Sequence, residues 1–174
     1  MPTNQERIYM QEDRFKPVPN EGNHRCFACS PMNASGLQMA VFTDEESVFS
    51  DVTVPDHLCG WGDMVHGGVI STILDEIMGW GVIYLLKKIS LTQSITVDFL
   101  KSVKIGTPLR AIGRVQEKRT KNEALMESFL YDEKETLCAR AAGTFALASG
   151  RAAKRMGVLD DDLLAAFAPL LEQT

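Results

Sequence analysis

Between Val69 and Leu86 apolar residues occupy nearly every direction of a helical wheel. Val69, Ile70, Ile73, Leu74, Ile77, Met78, Trp80, Val82 and Ile83 leave no broad polar face. The pattern, from about Gly67 to Lys87, predicts a helix buried all round. Segments before and after it have the β-branched and aromatic content of strands. Leu37 to Thr43 and Ser47 to Val54, separated by Asp44-Glu45-Glu46, predict a hairpin. Four further strands are expected near Ser90 to Lys101, Pro108 to Arg119, Ala124 to Asp132 and Thr136 to Ala148. Their short, turn-like separators at Ile105 to Thr107, Thr120 to Asn122 and Asp132 to Lys134 favour antiparallel neighbours. A short helix over Gln5 to Phe15 precedes a loop from Asn20 to Gly36. A last helix over Leu159 to Leu171 opens on the acidic turn Asp160 to Asp162, where the helix dipole favours negative charge. One two-strand unit before an all-apolar helix and four strands after it predict an α+β domain, a curved antiparallel sheet wrapped around the helix.

The chain has 174 residues, 45% of them hydrophobic, enough for one domain with a substantial core. Repeats and low-complexity tracts are absent from the sequence. The expected division is 1–36 as lead-in, 37–150 as the sheet-and-helix domain and 151–174 as the C-terminal helix. A net charge of −5 and the lack of a basic tail argue against a nucleic-acid partner. The polar, acidic N-terminus does not read as a signal peptide, so the cytoplasm is expected. Asp75, Glu76 and several glycines inside the apolar run favour a buried helix in a soluble protein over a membrane span.

Those two carboxylates carry the candidate chemistry. At 100° per residue, Asp75 shares a stripe with Gly68, Ser71, Thr72 and Gly79, which leaves space beside it. Glu76 shares a bulky face with Val69, Ile73, Trp80 and Ile83, which reads as packing. On spacing alone, a buried carboxylate reads first as a satisfied ion pair or cap. The opening His66-Gly67-Gly68 adds a second feature. A helix start leaves N–H groups unpaired at the positive end of its dipole, and glycines let a substrate approach them. A carbonyl polarised there, with a carboxylate two turns along or from a second subunit, suits acyl transfer to water.

The stretch HLCGWGDMVHGGVISTILDEIMGWG resembles the hotdog-fold acyl-CoA thioesterases, particularly the branch that includes the phenylacetate-degradation enzymes. The earlier HRCFACSPMNASGLQM resembles a cysteine-containing lead-in found in part of that branch. The similarity runs from about His24 to Ala148. It implies a hotdog fold, a homodimer with a dimer of dimers as a further assembly, and active sites between subunits. By resemblance, Asp75 is the catalytic carboxylate, the Gly67 amide polarises the thioester carbonyl, His66 shapes the turn, and Thr92 supplies a hydroxyl that positions water. Gly68 and Trp61 are the expected substrate contacts. The sequence departs from the pattern at Gly60, seven residues before Gly67, where several relatives carry Asn or Gln. Asp63 and His57 are candidate replacements.

Two other clusters bear on partners. Cys26-x-x-Cys29 with His24, together with His57-x-Cys59, contains enough donors for zinc, but a single Cys-x-x-Cys lacks the second pair of a zinc motif. No metal and no cofactor are therefore expected, with coenzyme A part of the substrate. Lys118, Arg119 and Lys121, and Arg151, Lys154 and Arg155, are candidate phosphate contacts or ordinary solvated charges. An enoyl-CoA hydratase or dehydratase, using His66 as acid or base, and a non-catalytic acyl-CoA-binding module are the alternatives to a thioesterase. Trp80 and Tyr84 read as core or as part of an acyl pocket.

Overall fold

The computed structural model describes residues 15–20 and 24–171. Its longest helix, α1 (Gly67–Leu86), begins where His66 Nδ1 accepts the Gly68 N–H at 2.9 Å, and ends at Lys87 in the left-handed conformation, φ 56°. Strands β1 (Lys16–Pro17), β2 (Phe42–Thr43) and β3 (Val48–Thr53) precede it. Strands β4 (Ile89–Phe99), β5 (Pro108–Thr120), β6 (Glu123–Asp132) and β7 (Leu137–Ala148) follow. All seven form one antiparallel sheet in the order β1-β2-β3-β5-β6-β7-β4, packed against α1. This is the wrapped-helix arrangement the pattern predicts.

The sheet grips the helix at close range. Alternating buried positions on β6, including Ala124, Met126 and Leu130, face Ile73, Leu74, Ile77 and Met78 in one core. Gly113 on β5 permits this contact, since a Cβ there would lie 2.5 Å from the Ile77 carbonyl oxygen. The helix has the length and composition to cross a membrane, yet it spends its apolar face on the sheet.

Several expectations are corrected. The helix is not buried all round: Gly68, Ser71, Thr72, Asp75 and Gly79 form a strip that the sheet leaves at least partly open. Strands β4 and β5 are not neighbours, because the backbone between them bonds elsewhere. Val65 N–H donates to Val103 O at 2.9 Å and Ile105 N–H to Asp63 O at 2.8 Å, carrying the chain across the sheet end. As a result β4 pairs only with β7 and is an edge of the sheet.

The expected strand from Leu37 shrinks to Phe42–Thr43. Leu37 and Met39 instead donate their N–H groups to Phe27 O and Ala28 O, 2.8 and 2.9 Å away, tying the segment to the lead-in loop. The helix expected over Leu159 to Leu171 is α3 (Asp161–Phe167) continued by a 3-10 turn, Ala168–Leu170, and an unexpected short helix, α2 (Gly150–Arg155), precedes it across Gly157, φ 71°. Asp160 proves to be the cap of α3, accepting the Leu163 N–H at 2.8 Å. Apart from Phe15, the helix expected over Gln5 to Phe15 lies outside the described residues.

Candidate functional site

Asp75 emerges from the open strip of α1 toward the edge strand. Thr92 Oγ1 donates to Asp75 Oδ1 at 2.9 Å. The β4–β7 register shifts between Thr92 and Ser94, a bulge of the kind that re-aims a side chain beside a site. Burial raises the Asp75 pKa above its ordinary value, and the Thr92 hydrogen bond opposes that rise by favouring the charged form. The neighbouring hydroxyls are already used: Ser71 Oγ donates to Gly67 O and Thr72 Oγ1 to Gly68 O, each at 3.0 Å.

At the helix start the two glycines have different tasks. The Gly68 N–H is taken by His66 Nδ1, and a Cβ on Gly68 would sit 3.0 Å from that nitrogen, so glycine admits the capping ring. The expectation that both amides are open is thereby corrected for Gly68. Gly67 is the first helical residue, and its N–H has no acceptor among the described residues. Its surroundings are roomy, since a Cβ there would meet only the Phe99 ring at 3.6 Å. Eight residues separate Gly67 from Asp75, a rise of about 12 Å along the helix. One carbonyl cannot touch both groups of the same chain.

Trp61 sits in the bend between the bridged residues Cys59 and Val65, 93% exposed in the single chain. Both candidate substitutes for a polar residue at 60 are engaged. His57 Nε2 pairs with Ser35 O at 3.0 Å, and Asp63 with Lys104 Nζ at 2.7 Å, which holds the Asp63 carboxylate below its ordinary range. A Cβ on Gly60 would lie 3.1 Å from His66 Cα, so this position adjoins the helix cap. Of the basic candidates, Arg119 contacts Glu117 and Glu123, both at 3.6 Å, and Lys154 pairs with Asp161.

A second cluster joins the Cys26-x-x-Cys29 pair to Glu76, the carboxylate that the helical wheel assigns to a packing face. Glu76 accepts the Trp80 indole N–H at 3.1 Å, and its two carboxylate oxygens lie 3.9 and 3.8 Å from Cys26 Sγ. Burial, reinforced by the Cys26 charge, pushes the Glu76 pKa up to about 7. The Cys29 thiol, hydrogen-bonded to Cys26, holds Cys26 below and itself above the ordinary thiol value. His57 and Cys59, grouped with these cysteines on spacing, are occupied elsewhere or exposed. The carboxylate is supplied by the helix, fifty residues beyond Cys26, a separation no local motif reveals.

Residues 62–139 match the model of the thioesterase superfamily. No curated protein gives a significant match. Among solved structures, a thioesterase superfamily protein, RHA08564, superposes with a TM-score of 0.65 at 18% identity, covering 83% of this chain and 79% of its own. Zebra fish thioesterase superfamily member 2 gives 0.60 at 20% identity, covering 71% and 92%. The smu.793 protein of Streptococcus mutans UA159, solved bound to acetyl CoA, gives 0.56 at 23% identity, covering 59% and 82%. The fold is thus the hotdog fold shared with these structures, and residues 62–139 are similar to the thioesterase superfamily.

Proposed function

We propose that the protein is an acyl-CoA thioesterase whose active site is shared between two subunits, with a small or medium acyl or aryl thioester as substrate. The observation that carries this reading is the division of labour along α1. An open Gly67 N–H and a half-buried, Thr92-bonded Asp75 lie about 12 Å apart on one helix, too far for one reacting carbon. A second copy can close that gap. Strand β4 offers an unpaired edge that carries exposed Leu91, Thr92 and Phe99 beside the open strip of α1. A homodimer, with a dimer of dimers as its further assembly, brings the Gly67 of one protomer to the Asp75 of the other.

In this site the Gly67 N–H, reinforced by the helix dipole, stabilises negative charge developing on the thioester oxygen. Asp75 acts as nucleophile on the carbonyl carbon or as base for a water that Thr92 helps to orient. The C–S bond breaks, the coenzyme A thiolate leaves and takes up a proton, and water supplies the oxygen of the free acid. His66 fixes the helix start through its bond to Gly68. That use of Nδ1 counts against His66 as the acid or base of a hydratase. The acetyl CoA bound by the Streptococcus mutans relative supports the substrate class. The phenylacetate-type branch, a cytoplasmic location, and a chemistry needing neither metal nor cofactor, nucleic acid nor membrane complete the proposal.

The test is release of free thiol from a panel of short-chain, medium-chain and aryl acyl-CoA substrates, beside hydration of enoyl-CoA. Hydrolysis without hydration is expected. Hydration without hydrolysis would replace the proposal by the hydratase reading, and binding without either reaction by the acyl-CoA-binding module.

A further inference from the structure

The Cys26, Cys29 and Glu76 cluster stands outside the thioester chemistry and has the composition of a metal site. The two Sγ atoms and a Glu76 oxygen lie within 4.8 Å of one another. A tetrahedral zinc with ordinary Zn–S and Zn–O bonds places sulfur and oxygen ligands about 3.5 Å apart. Cys26 Sγ lies 3.8 and 3.9 Å from the two Glu76 oxygens, so a few tenths of an ångström separate this pair from that spacing, and Cys29 Sγ lies within 4.8 Å of both. No described lysine or arginine forms an ion pair with Glu76; its hydrogen-bonding neighbours are the cysteine thiols and the Trp80 indole.

We infer that Cys26, Cys29 and Glu76 bind one zinc ion that fastens the lead-in loop to the central helix. Surrounding contacts are those of a prepared site. Trp80 Nε1 holds one Glu76 oxygen in place, the indirect support that metal-bound carboxylates usually have. The cluster opens on a cavity of about 370 Å³ that His24 also lines. His24, whose Nε2 pairs with Asn20 Oδ1 at 2.9 Å, lines the cavity but lies outside the 4.8 Å group, so water fills the fourth position. Gly36 folds the loop back on itself, since a Cβ there would lie 2.2 Å from Phe27 O. The metal joins this folded loop to the element that carries Asp75, and is a structural clip.

The experiment is metal analysis of the purified, untagged full chain after incubation with equimolar zinc and gel filtration. One zinc per chain is expected, released to a chromogenic chelator as a mercurial reagent titrates the thiols. Cys26→Ser and Cys29→Ser should lose it, while Cys59→Ser, which removes an exposed thiol outside the cluster, should keep it. Trp80→Phe, which removes the indole donor to Glu76 together with part of a buried ring, should weaken zinc binding by about 10–100-fold while the protein stays folded. The wild-type titration stands even if a cysteine variant fails to fold. Four titratable thiols with no bound zinc, a Cys26–Cys29 disulfide, or zinc retained by the Cys26→Ser/Cys29→Ser protein would overturn the inference.

Discussion

The Thr92 hydroxyl donates to Asp75 Oδ1 across 2.9 Å, joining the central helix to an edge strand whose outer side is open. The bond occupies one carboxylate oxygen and leaves the other for chemistry. Asp75→Asn preserves shape and removes the charge. Thioester hydrolysis should fall by about 10²–10⁴, the range for losing a general base, with an unchanged circular dichroism spectrum and oligomeric state. Near wild-type turnover by Asp75→Asn would remove the carboxylate from the mechanism. Thr92→Val should have the smaller effect of the two, because it removes the group that orients rather than the one that reacts.

Trp61 presents a large apolar side chain to solvent, 93% exposed in one protomer. Such a side chain on a glycine-flanked bend gives no packing return to its own chain. Trp61→Ala should leave thermal stability unchanged and alter the ratio of kcat/KM between short-chain and aryl acyl-CoA by about tenfold, as for a lost contact in an apolar pocket. An unchanged ratio across the panel would place Trp61 outside the acyl site.

Asp132 closes the turn between β6 and β7, accepting from Lys101 Nζ at 2.6 Å and from the Lys134 and Thr136 N–H groups at 2.9 Å. These donors, Lys101 first, hold its pKa down to about 2. The folded-state value lies below the unfolded one, so the stabilisation is fully present above the ordinary carboxylate pKa and is lost as pH falls through about 2. Lys101 is exposed, and solvent screening keeps the contribution of the pair small. Urea titrations at successive pH values should show the wild type losing its advantage over Asp132→Asn between about pH 4 and pH 2. A stability gap that does not narrow over that range would contradict the ion-pair reading.

The helix was legible because its signal is local: a long apolar run, a His-Gly-Gly start and a strip of small residues all lie within α1. The same holds for β5, β6 and β7, whose ends were expected within about two residues. Sheet order was not legible from loop length. The separator before Pro108 looks like a hairpin turn, but the hydrogen bonds of Val103 and Ile105 reach back to Val65 and Asp63 and set β4 beside β7. In the candidate site, Asp75 and the Gly67-Gly68 helix start stand out as candidates from spacing, whereas the split use of the glycine amides depends on the rotation of the His66 ring. The Glu76 cluster escaped because its parts come from a loop and a helix far apart in sequence. On the helical wheel Glu76 falls among bulky neighbours, and only the fold shows that the lead-in loop brings two cysteines to meet it.

The shared site can be tested by pairing two inactive chains. Gly67→Pro deletes the proposed oxyanion donor at the one helical position where proline is favoured, and His66, with φ −62° and ψ 134°, already has the conformation that a following proline requires. Co-expressed with Asp75→Asn, it forms hybrid dimers in which one site carries both substitutions and the other carries neither. Each variant alone should be folded, dimeric and nearly inactive. The randomly mixed population should regain about a quarter of wild-type acyl-CoA hydrolysis, because half of its dimers contain one intact site. No regained activity in isolated hybrid dimers would contradict a site built from the Gly67 of one subunit and the Asp75 of the other.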